Sequence, residues 1–317
     1  MSDQVRDAYD VVVIGGGAAG LNGALQLARS RRSVLVVDAG QPRNRPAPAV
    51  HGLLGHDGVP PAQLLARGRD EVRRYGGEVT AGEVASVGGE LDPGFTVTLA
   101  DGRVVRARRL LVTSGLVDQL PDIPGLRERW GRDVVHCPYC HGYEVRDQPI
   151  GVLASGPRSV HQALLFRQLS DDVVYFTHGT ALDGAASGQL AARGVRVVDG
   201  EVSAVVIDGD RLTGVRLADG RVVPRQALAV GARMTARAGF LAGLGLKPTE
   251  PPSGLGAHSP ADPAGRTEVP GVWAAGNVTD LGAQVGAAAA AGALAGAMIN
   301  ADLVEEETAR AVAARAA

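Results

Sequence analysis

The first strand, turn and helix of the chain constrain its fold more than any other part of the sequence. An apolar strand over residues 10–14 leads into a turn of the form Gly-x-Gly-x-x-Gly that begins at Gly15, a helical stretch follows, and a second strand ends at Asp38. Such glycines let the backbone approach a pyrophosphate at a helix N-terminus, and the carboxylate can accept hydrogen bonds from a ribose. The pattern predicts a dinucleotide site without distinguishing FAD from NAD; a glycine-rich turn with no ligand is the alternative.

The chain uses this strand–helix–strand design twice. A second unit covers 150–176, and the heptapeptide Leu-Ala-Asp-Gly-Arg-Val-Val occurs at 99–105 and again at 217–223, each time as a predicted β-hairpin with its turn at Asp-Gly. The same order of elements in both halves indicates an internal duplication rather than chance likeness. The segment after about residue 253 is too short for a domain and is expected to return to the first one. We predict an α/β fold of two Rossmann-like, three-layer ββα domains: an outer domain of 1–116 and 253–317, and an inserted domain of 117–252.

Charge and composition exclude several partners. The chain has 32 basic and 34 acidic residues and a net charge of -2, so no run of one sign attracts nucleic acid or lipid headgroups. Its polar N-terminus does not fit an export signal, and we expect a cytoplasmic protein. Residues 281–299 carry no charge and include a Gly292-x-x-x-Gly296 spacing typical of membrane helix pairs. Because alanine and glycine dominate this stretch and Gln284 interrupts it, we interpret it as a tightly packed helix of a soluble fold.

The turn of the second unit departs from the glycine rule. Residues 154–159 read Ala-Ser-Gly-Pro-Arg-Ser, so alanine replaces the first glycine and Pro157 removes a backbone donor. The next strand ends in Thr-His-Gly at 177–179, which offers neither an acid for the ribose of NAD nor an arginine pair for the extra phosphate of NADP. We expect weak binding of a nicotinamide nucleotide here, unless Arg158 or His178 supplies the missing contact.

The two cysteines of the chain belong to one motif, His136-Cys137-Pro138-Tyr139-Cys140-His141. A spacing of two residues lets both sulfurs close a disulfide ring, and such pairs often stabilise one thiolate where they open a helix. Zinc is the main competitor, since both histidines could join the sulfurs, but four neighbouring residues rarely reach a tetrahedral site from one turn. Glutaredoxin-type domains also contain Cys-Pro-Tyr-Cys, but they are short and carry it after their first strand. The motif predicts a reversible redox centre and no metal.

Five ordered motifs along nearly the whole chain resemble the low-molecular-weight thioredoxin reductases. They are 15–20, Thr113-Ser-Gly115, the cysteine motif with Gly142-Tyr143-Glu144, 262–277 and Ala283-Gln284-Val285. The resemblance implies that the outer domain binds FAD, that the inserted domain carries the cysteine pair and ordinarily NADPH, and that the protein is a homodimer. It also implies that Cys140 is the sulfur nearer the flavin and that Cys137 exchanges with substrate. The FAD-binding positions that it implies are Gly15, Gly17, Ala18, Ala19, Gly20, Asp38, Ala39, Thr113, Gly115, Gly276, Asn277, Gln284 and Val285.

Three departures separate the chain from those reductases. His141 stands where the family usually has aspartate, the second glycine motif and the His-Arg-Arg run for NADPH are missing, and Gly276-Asn277 replaces Gly-Asp. The run Cys-Pro-x-Cys-His-Gly-Tyr/Trp-Glu instead resembles the dithiol oxidases of this fold that close disulfides in natural products of the gliotoxin and holomycin type. This resemblance implies a small-molecule dithiol as substrate and O2 as acceptor, and the departures argue against NADPH.

The expected reaction begins when a reduced dithiol attacks the Cys137–Cys140 disulfide through Cys137. Cys140 then passes the electron pair to the flavin, and O2 is reduced to hydrogen peroxide. His141 is the expected proton carrier because an imidazole titrates near neutral pH; a histidine that only orients the loop is the alternative. An NADPH-dependent or ferredoxin-dependent disulfide reductase and a non-catalytic redox sensor stay open as other functions. Residues 51–55 either line a substrate entry or form a glycine-rich loop over the flavin.

Overall fold

The structure, a computed structural model, describes residues 6–316. Contacts within the chain divide these residues into two compact units: unit 1 consists of 6–45, 61–117 and 235–316, and unit 2 of 46–60 and 118–234. The division differs from the predicted domains in two stretches, since 46–60 lies in unit 2 and 235–252 in unit 1.

Packing explains both differences. Ala236 and Leu241 are buried in the same apolar cluster as Val87, which places the stretch after 235 in the core of unit 1. The backbone of Pro46 lies so close to Gly131 that a Cβ on this glycine would come within 3.0 Å of the carbonyl carbon of Pro46. These contacts join residues far apart in sequence, and no local pattern marks them.

The helices and strands follow one another in three groups. The first group is β1 (Ala8–Ile14), α1 (Ala18–Arg29), β2 (Val34–Asp38), α2 (Pro61–Arg74), β3 (Glu78–Ala81), β4 (Val84–Glu90), β5 (Gly94–Leu99), β6 (Val104–Val112) and β7 (Leu116–Gln119). The second group is α3 (Leu126–Arg129), β8 (Val134–Val135), α4 (Pro138–His141), β9 (Ile150–Leu153), α5 (Ser159–Phe166), β10 (Val173–Phe176), α6 (Gly184–Ala192), β11 (Arg196–Val198), β12 (Val202–Asp208), β13 (Arg211–Leu217), β14 (Val222–Pro224) and β15 (Ala227–Val230). The last group is β16 (Arg233–Ala236), β17 (Gly256–Ala257), β18 (Val272–Ala274) and α7 (Val285–Ala316), and short 3₁₀ turns cover Tyr143–Val145, Gly239–Leu244 and Gly276–Val278.

Unit 1 has three layers around a parallel sheet. Strands β3, β2, β1 and β6 lie side by side in parallel; the end of β6 also pairs in parallel with β18, and its start pairs antiparallel with β5, which continues to β4. Because side chains alternate along a strand, Val11 of β1 faces the layer of α1 and α7, whereas Val12 faces the layer of β4 and β5. The sheet is buried on both faces, as expected for parallel strands.

Unit 2 repeats this plan. Its sheet has the order β11–β10–β9–β15–β8 with all pairs parallel. Val152 of β9 packs on the side of Phe166 in α5, and Leu153 packs on the other side with Val215 of the antiparallel sheet β12–β13–β14. A small further sheet has the order β17–β16–β7. The predicted fold class of two Rossmann-like, three-layer domains is confirmed.

The two copies of the heptapeptide form equivalent hairpin turns. In the first, Leu99 N donates to Arg103 O at 2.9 Å, and in the second Leu217 N donates to Arg221 O at 2.9 Å. Each arginine also bonds the aspartate of its own turn. The predicted hairpins at Asp-Gly are therefore present in both units.

Helix α7 packs against α1 through glycine. A Cβ added to Gly292 would lie 1.9 Å from the carbonyl oxygen of Ala19, and one added to Gly296 would lie 2.6 Å from that of Gly23. By length and composition alone α7 is the one helix among residues 6–316 that could cross a membrane. Its glycine face is instead in contact with α1 within unit 1, which fits the interpretation of 281–299 as a packed helix.

Ion pairs hold the second half of α7 to β6. Arg109, whose side chain is 4% exposed, pairs with Asp302 and with Glu306, each at 2.6 Å. Its neighbour Arg108 pairs with Glu306 and, at 2.8 Å, with Glu307. A buried guanidinium requires such partners because an isolated buried charge is costly.

Candidate active site

The turn between β1 and α1 forms a cradle that only glycine permits. Gly15 has a φ of +112°, and a Cβ there would lie 2.4 Å from the carbonyl oxygen of Thr113. A Cβ on Gly20 would lie 1.9 Å from the carbonyl oxygen of Gly15. Nothing lies within 4 Å of the place where a Cβ of Gly17 would stand. The turn is therefore closed on the side of β6 and open at Gly17.

The start of α1 offers backbone donors at this open side. The helix begins at Ala18, its N-cap is Gly17 without a side-chain cap, and no acidic residue stands in its first turn. The first N–H groups of a helix have no partner inside the helix, and together with the helix dipole they favour an anion. Ala18, Ala19 and Gly20 supply these donors, as a dinucleotide pyrophosphate requires.

Asp38 stands beside the cradle at the end of β2. A Cβ on Gly16 would lie 2.6 Å from its carboxyl group, so the two touch. One carboxylate oxygen accepts a hydrogen bond from Gly40 N at 3.0 Å, and Arg69 lies 3.7 Å from the other. Asp38 is thus fixed next to the turn with acceptor capacity left for ribose hydroxyls. Ala39 follows it in the exposed loop.

Thr113 and Gly115 follow β6 on the far side of the cradle. The Thr113 hydroxyl donates to the carbonyl oxygen of Gly15 at 2.8 Å, and its side chain is buried. Thr113 therefore supports the turn between β1 and α1 from its buried side. Gly115 has a φ of +71° and open space around it.

The 3₁₀ turn after β18 reaches the same place. Gly276 has a φ of +80°, and a Cβ there would lie 2.8 Å from the Cβ of Ala19. The amide of Asn277 donates to the carbonyl oxygen of Ala283 at 2.9 Å, which shapes the loop before α7. In that loop Gln284 O accepts from Ala288 N, and α7 begins at Val285.

The structure thus gathers the principal predicted FAD positions in unit 1. Gly15, Gly20, Asp38, Thr113 and Gly276 are linked by direct contacts around the start of α1. An open turn, an uncapped helix N-terminus and a neighbouring carboxylate fit a dinucleotide. That each single position touches FAD stays a prediction.

In unit 2 the cysteine pair lies on α4, a single helical turn. Cys137 is its N-cap and Pro138 its first residue; Cys137 O accepts from Cys140 N at 3.3 Å and from His141 N at 3.1 Å. Both cysteines are half-buried. Cys137 and Cys140 are thus the N-cap and the third residue of one helical turn, a spacing at which two sulfurs can close a disulfide ring.

Gly142 explains why glycine follows this motif. A Cβ there would lie 2.2 Å from the carbonyl oxygen of Pro138 and 2.4 Å from the side chain of Leu169. The turn therefore packs directly against Leu169, which follows α5, and a larger residue at position 142 would displace the turn.

His136 is tied to the sheet of unit 2. Its Nδ1 lies 3.0 Å from the carbonyl oxygen of Val230, and Gln162 Nε2 donates to its own carbonyl oxygen at 2.6 Å. The acceptor of the Gln162 amide is the carbonyl oxygen of His136, and both bonds anchor the strand end that leads into Cys137. Among residues 6–316 no group of three or more His, Cys, Asp or Glu side chains is placed to hold a metal ion.

His141 lies half-buried next to Cys140 and has charged neighbours that sequence reasoning did not assign. Burial lowers its pKa below the ordinary 6.5; Glu144 acts against this lowering, and His51 adds to it. His51 Nε2 lies 3.4 Å from Glu144, and its Nδ1 lies 3.4 Å from Asp57. The 46–60 segment thus contributes to the surroundings of the cysteine motif. Its two histidines are the only signal in the sequence that could have suggested this.

The glycine turn of unit 2 is filled from within. Ser159 Oγ accepts hydrogen bonds from Ser155 N and Gly156 N, both at 3.1 Å. These two N–H groups of the turn are therefore engaged within unit 2, and Pro157 has no N–H to offer. His178 Nδ1 in turn accepts from Val202 N at 3.0 Å, so this nitrogen is engaged in the fold. The predicted weakness of this site toward nicotinamide nucleotides thus has a second cause besides the missing glycine.

Comparison with known proteins agrees with this geometry. Residues 9–295 match the model of the pyridine nucleotide-disulphide oxidoreductase family. The crystal structure of HlmI superposes with a TM-score of 0.92 at 49% identity, covering 98% of both chains. Thioredoxin reductase tcpT of Claviceps purpurea is 33% identical over 282 residues, which cover 84% of this chain and 86% of tcpT.

Another relative matches this chain over a shorter stretch. A probable thioredoxin reductase of Arthroderma benhamiae is 34% identical over 178 residues, and the match spans less than half, 44%, of that protein. Proteins of this thioredoxin reductase-like family bind FAD, and many also use NADPH. Given the family match over most of its length, the chain belongs to the pyridine nucleotide-disulphide oxidoreductases, as a thioredoxin reductase-like flavoprotein with two Rossmann-type domains.

Proposed function

We propose that the protein oxidises small-molecule dithiols to disulfides at Cys137 and Cys140, with FAD as cofactor and O2 as final acceptor. The contrast between its two glycine turns supports this most. The turn of unit 1 keeps all three glycines of the motif, whereas in unit 2 the N–H groups of Ser155 and Gly156 are bonded to Ser159 Oγ and Pro157 has no N–H. Unit 1 therefore offers a binding site for a flavin that can accept an electron pair from a dithiol. Unit 2 offers no comparable site for a nicotinamide nucleotide.

The exchange at the cysteines balances atoms and electrons. One substrate thiolate attacks Sγ of Cys137, the Cys137–Cys140 bond breaks, and Cys140 leaves as a thiolate. The second substrate thiolate attacks the substrate sulfur of this mixed disulfide, and Cys137 leaves. The substrate is then a disulfide and the enzyme a dithiol, two electrons having passed to the enzyme.

Residues of unit 1 bind the electron acceptor. FAD, when bound there, supplies a two-electron acceptor that O2 can reoxidise with release of hydrogen peroxide. Gly17 and the first turn of α1 would hold its pyrophosphate, and Asp38 its ribose.

His141 would carry the proton. It follows Cys140 directly, and burial lowers its pKa, which favours the neutral imidazole that can accept a proton from a thiol. We expect His141→Ala to slow dithiol-dependent flavin reduction about a hundredfold. His161→Ala, on the exposed side of α5, is the matched control; equal rates in both variants would remove this role.

Anaerobic mixing tests the proposal directly. Dithiothreitol should bleach the yellow flavin, whereas NADPH should not; rapid bleaching by NADPH would refute the oxidase. Because the relative tcpT is named a thioredoxin reductase, disulfide reduction is the second candidate function, with NADPH as the reductant to be tested. The same mixing experiment decides between the two.

The dithiol substrate and O2 as acceptor are tested in aerated solution. An oxygen electrode should record one O2 consumed and one hydrogen peroxide formed for each dithiol oxidised, and steady turnover would exclude a pure redox sensor. The homodimer is tested by light scattering, with an expected mass twice the 32.5 kDa of the chain.

A further inference from the structure

The 276–284 loop joins β18 to α7 and passes beside the cradle of unit 1. Its first residue, Gly276, stands so close to α1 that a Cβ there would lie 2.8 Å from the Cβ of Ala19. Its last residue leads directly into Val285, where α7 begins. The shape of this loop therefore decides where the start of α7 stands next to the cradle.

The side-chain amide of Asn277 bonds to two carbonyl groups of this loop. Asn277 Nδ2 donates to the carbonyl oxygen of Asp280 at 3.1 Å and to that of Ala283 at 2.9 Å. A carbonyl oxygen can only accept, so the atom that faces these two oxygens has to be a donor. We call these two bonds the Asn277 bridge.

The backbone of the loop forms two short turns that the bridge connects. Gly276 O accepts from Asp280 N at 2.9 Å, and Asp280 O accepts from Ala283 N at 3.2 Å. Neither of these bonds joins the beginning of the first turn to the end of the second. The bond from Asn277 to Ala283 does so, and it fixes the end of the loop from which α7 starts.

We propose that Asn277 is a positioning residue for FAD, and that this chain requires an amide where the thioredoxin reductases usually have aspartate. Aspartate has nearly the same shape, but its carboxylate accepts hydrogen bonds and cannot donate them. At position 277 it would lose both bonds of the bridge and turn an oxygen toward two other oxygens. The end of the loop would move away, and the start of α7 would move with it from the cradle. The proposal needs FAD in unit 1 but does not depend on the substrate.

The affinity for FAD measures this role directly. Full-length protein loaded with FAD is diluted in series at pH 8, and the released fraction is read from flavin fluorescence, which gives the Kd. We expect Asn277→Asp to raise the Kd by on the order of tenfold or more, the usual effect of leaving buried polar groups unpaired. Asn277→Ala should raise it less, because alanine removes the bonds without adding a repulsion.

The pH dependence separates the bridge from a general loss of stability. A protonated carboxyl group has one O–H donor, and neighbouring carbonyl oxygens favour this neutral form. Lowering the pH from 8 to 5 should therefore restore part of the FAD affinity of Asn277→Asp but none of that of Asn277→Ala. A substitution that only loosens unit 1 would give both variants the same pH dependence.

Asn300→Asp is the matched control. Asn300 lies on α7, and its Oδ1 accepts from Arg32 Nε at 2.8 Å. A carboxylate keeps this bond because the side chain acts as the acceptor, so the Kd for FAD should stay at the wild-type value. The same chemical change is thus expected to weaken FAD binding only where the amide is the donor.

A Kd of Asn277→Asp at pH 8 that equals or falls below the wild-type value overturns the proposal, and so does the same pH dependence in Asn277→Asp and Asn277→Ala. Should Asn277→Asp fail to fold, Asn277→Ala decides, since an unchanged Kd contradicts a positioning role of the bridge. The assay contains no dithiol, so its failure leaves the proposed function standing. The expected Kd values without any dithiol turnover in air would support the bridge and refute the proposed function.

Discussion

Gly292→Ala would place a methyl group 1.9 Å from the carbonyl oxygen of Ala19, in the first turn of α1. Ordinary contact begins at 3.4 Å, so α7 must move away from α1 by about 1.5 Å. Because the contacted atom belongs to the backbone of α1, no side-chain rotation can relieve the clash. Overpacking of this kind costs about 1–3 kcal/mol, and alanine returns about 1 kcal/mol through its higher helix propensity. Because the contact is with backbone, we expect the upper end of that range and a net loss of about 2 kcal/mol.

Gly188→Ala is the matched control. Gly188 lies in the middle of α6, and nothing lies within 4 Å of its Cβ position. Here only the helix propensity changes, and stability should rise by about 1 kcal/mol. The two substitutions are chemically identical and differ only in what the new methyl group meets.

Thermal unfolding and flavin content provide the assay. A loss near ~2 kcal/mol lowers the unfolding temperature by on the order of 4 °C in a chain of this size. Because Ala19 belongs to the cradle, Gly292→Ala should also keep less FAD through gel filtration than wild type. If Gly292→Ala unfolds at or above the wild-type temperature and keeps its full flavin, the close α1–α7 contact does not constrain the cradle and the reasoning fails.

Other predictions concern charge and the second turn. Arg109→Met leaves two carboxylates of α7 without their buried partner and should lower the free energy of unfolding by about 3 kcal/mol in urea; an unchanged value would mean that the pair is not formed in solution. Hydrogen bonds from Arg32 and Arg108 lower the pKa of Glu307 from 4.5 to about 2, so its stabilising effect is complete above pH 4.5 and is lost as the pH falls toward about 2. The free energy of unfolding measured in urea should thus fall more steeply across this pH range in wild type than in Glu307→Gln. Ser159→Ala uncovers two N–H groups of the second turn, should cost about 1 kcal/mol, and should strengthen NADPH binding in calorimetry; no gain in binding would show that the serine is not what excludes the nucleotide.

Local patterns in the sequence predict the cradle of unit 1 well. The close contact of Gly20 with the Gly15 carbonyl lies within a single strand–turn–helix unit, and Asp38 follows from the length of that unit. The contact of Gly15 with Thr113 is distant in sequence, and only the glycine pattern signals it. The same holds for the cysteine turn, whose hydrogen bonds run from Cys140 and His141 back to Cys137. Interactions that stay within a few residues leave a recognisable spacing.

Contacts between distant segments leave no such spacing. The 46–60 loop joins unit 2 through His51 and Glu144, which are far apart in the chain, and the sequence alone left its role open. Ser159 is a different case, since its position is local. The missing glycine is visible in the sequence, but only the bonds from Ser155 and Gly156 show that the Ser159 hydroxyl engages two N–H groups of the turn.

The core of unit 1 takes Val11 from β1 and Leu303 from α7, so it cannot close until nearly the whole polypeptide has been synthesised. Unit 2 uses no residue beyond 234. Because a nascent chain leaves the ribosome N-terminus first, the unit that carries the cysteines has all its residues available while the FAD-binding unit still lacks β18 and α7. Premature termination before α7 would therefore leave all residues of the thiol-bearing unit joined to a sheet whose apolar face toward α7 is uncovered.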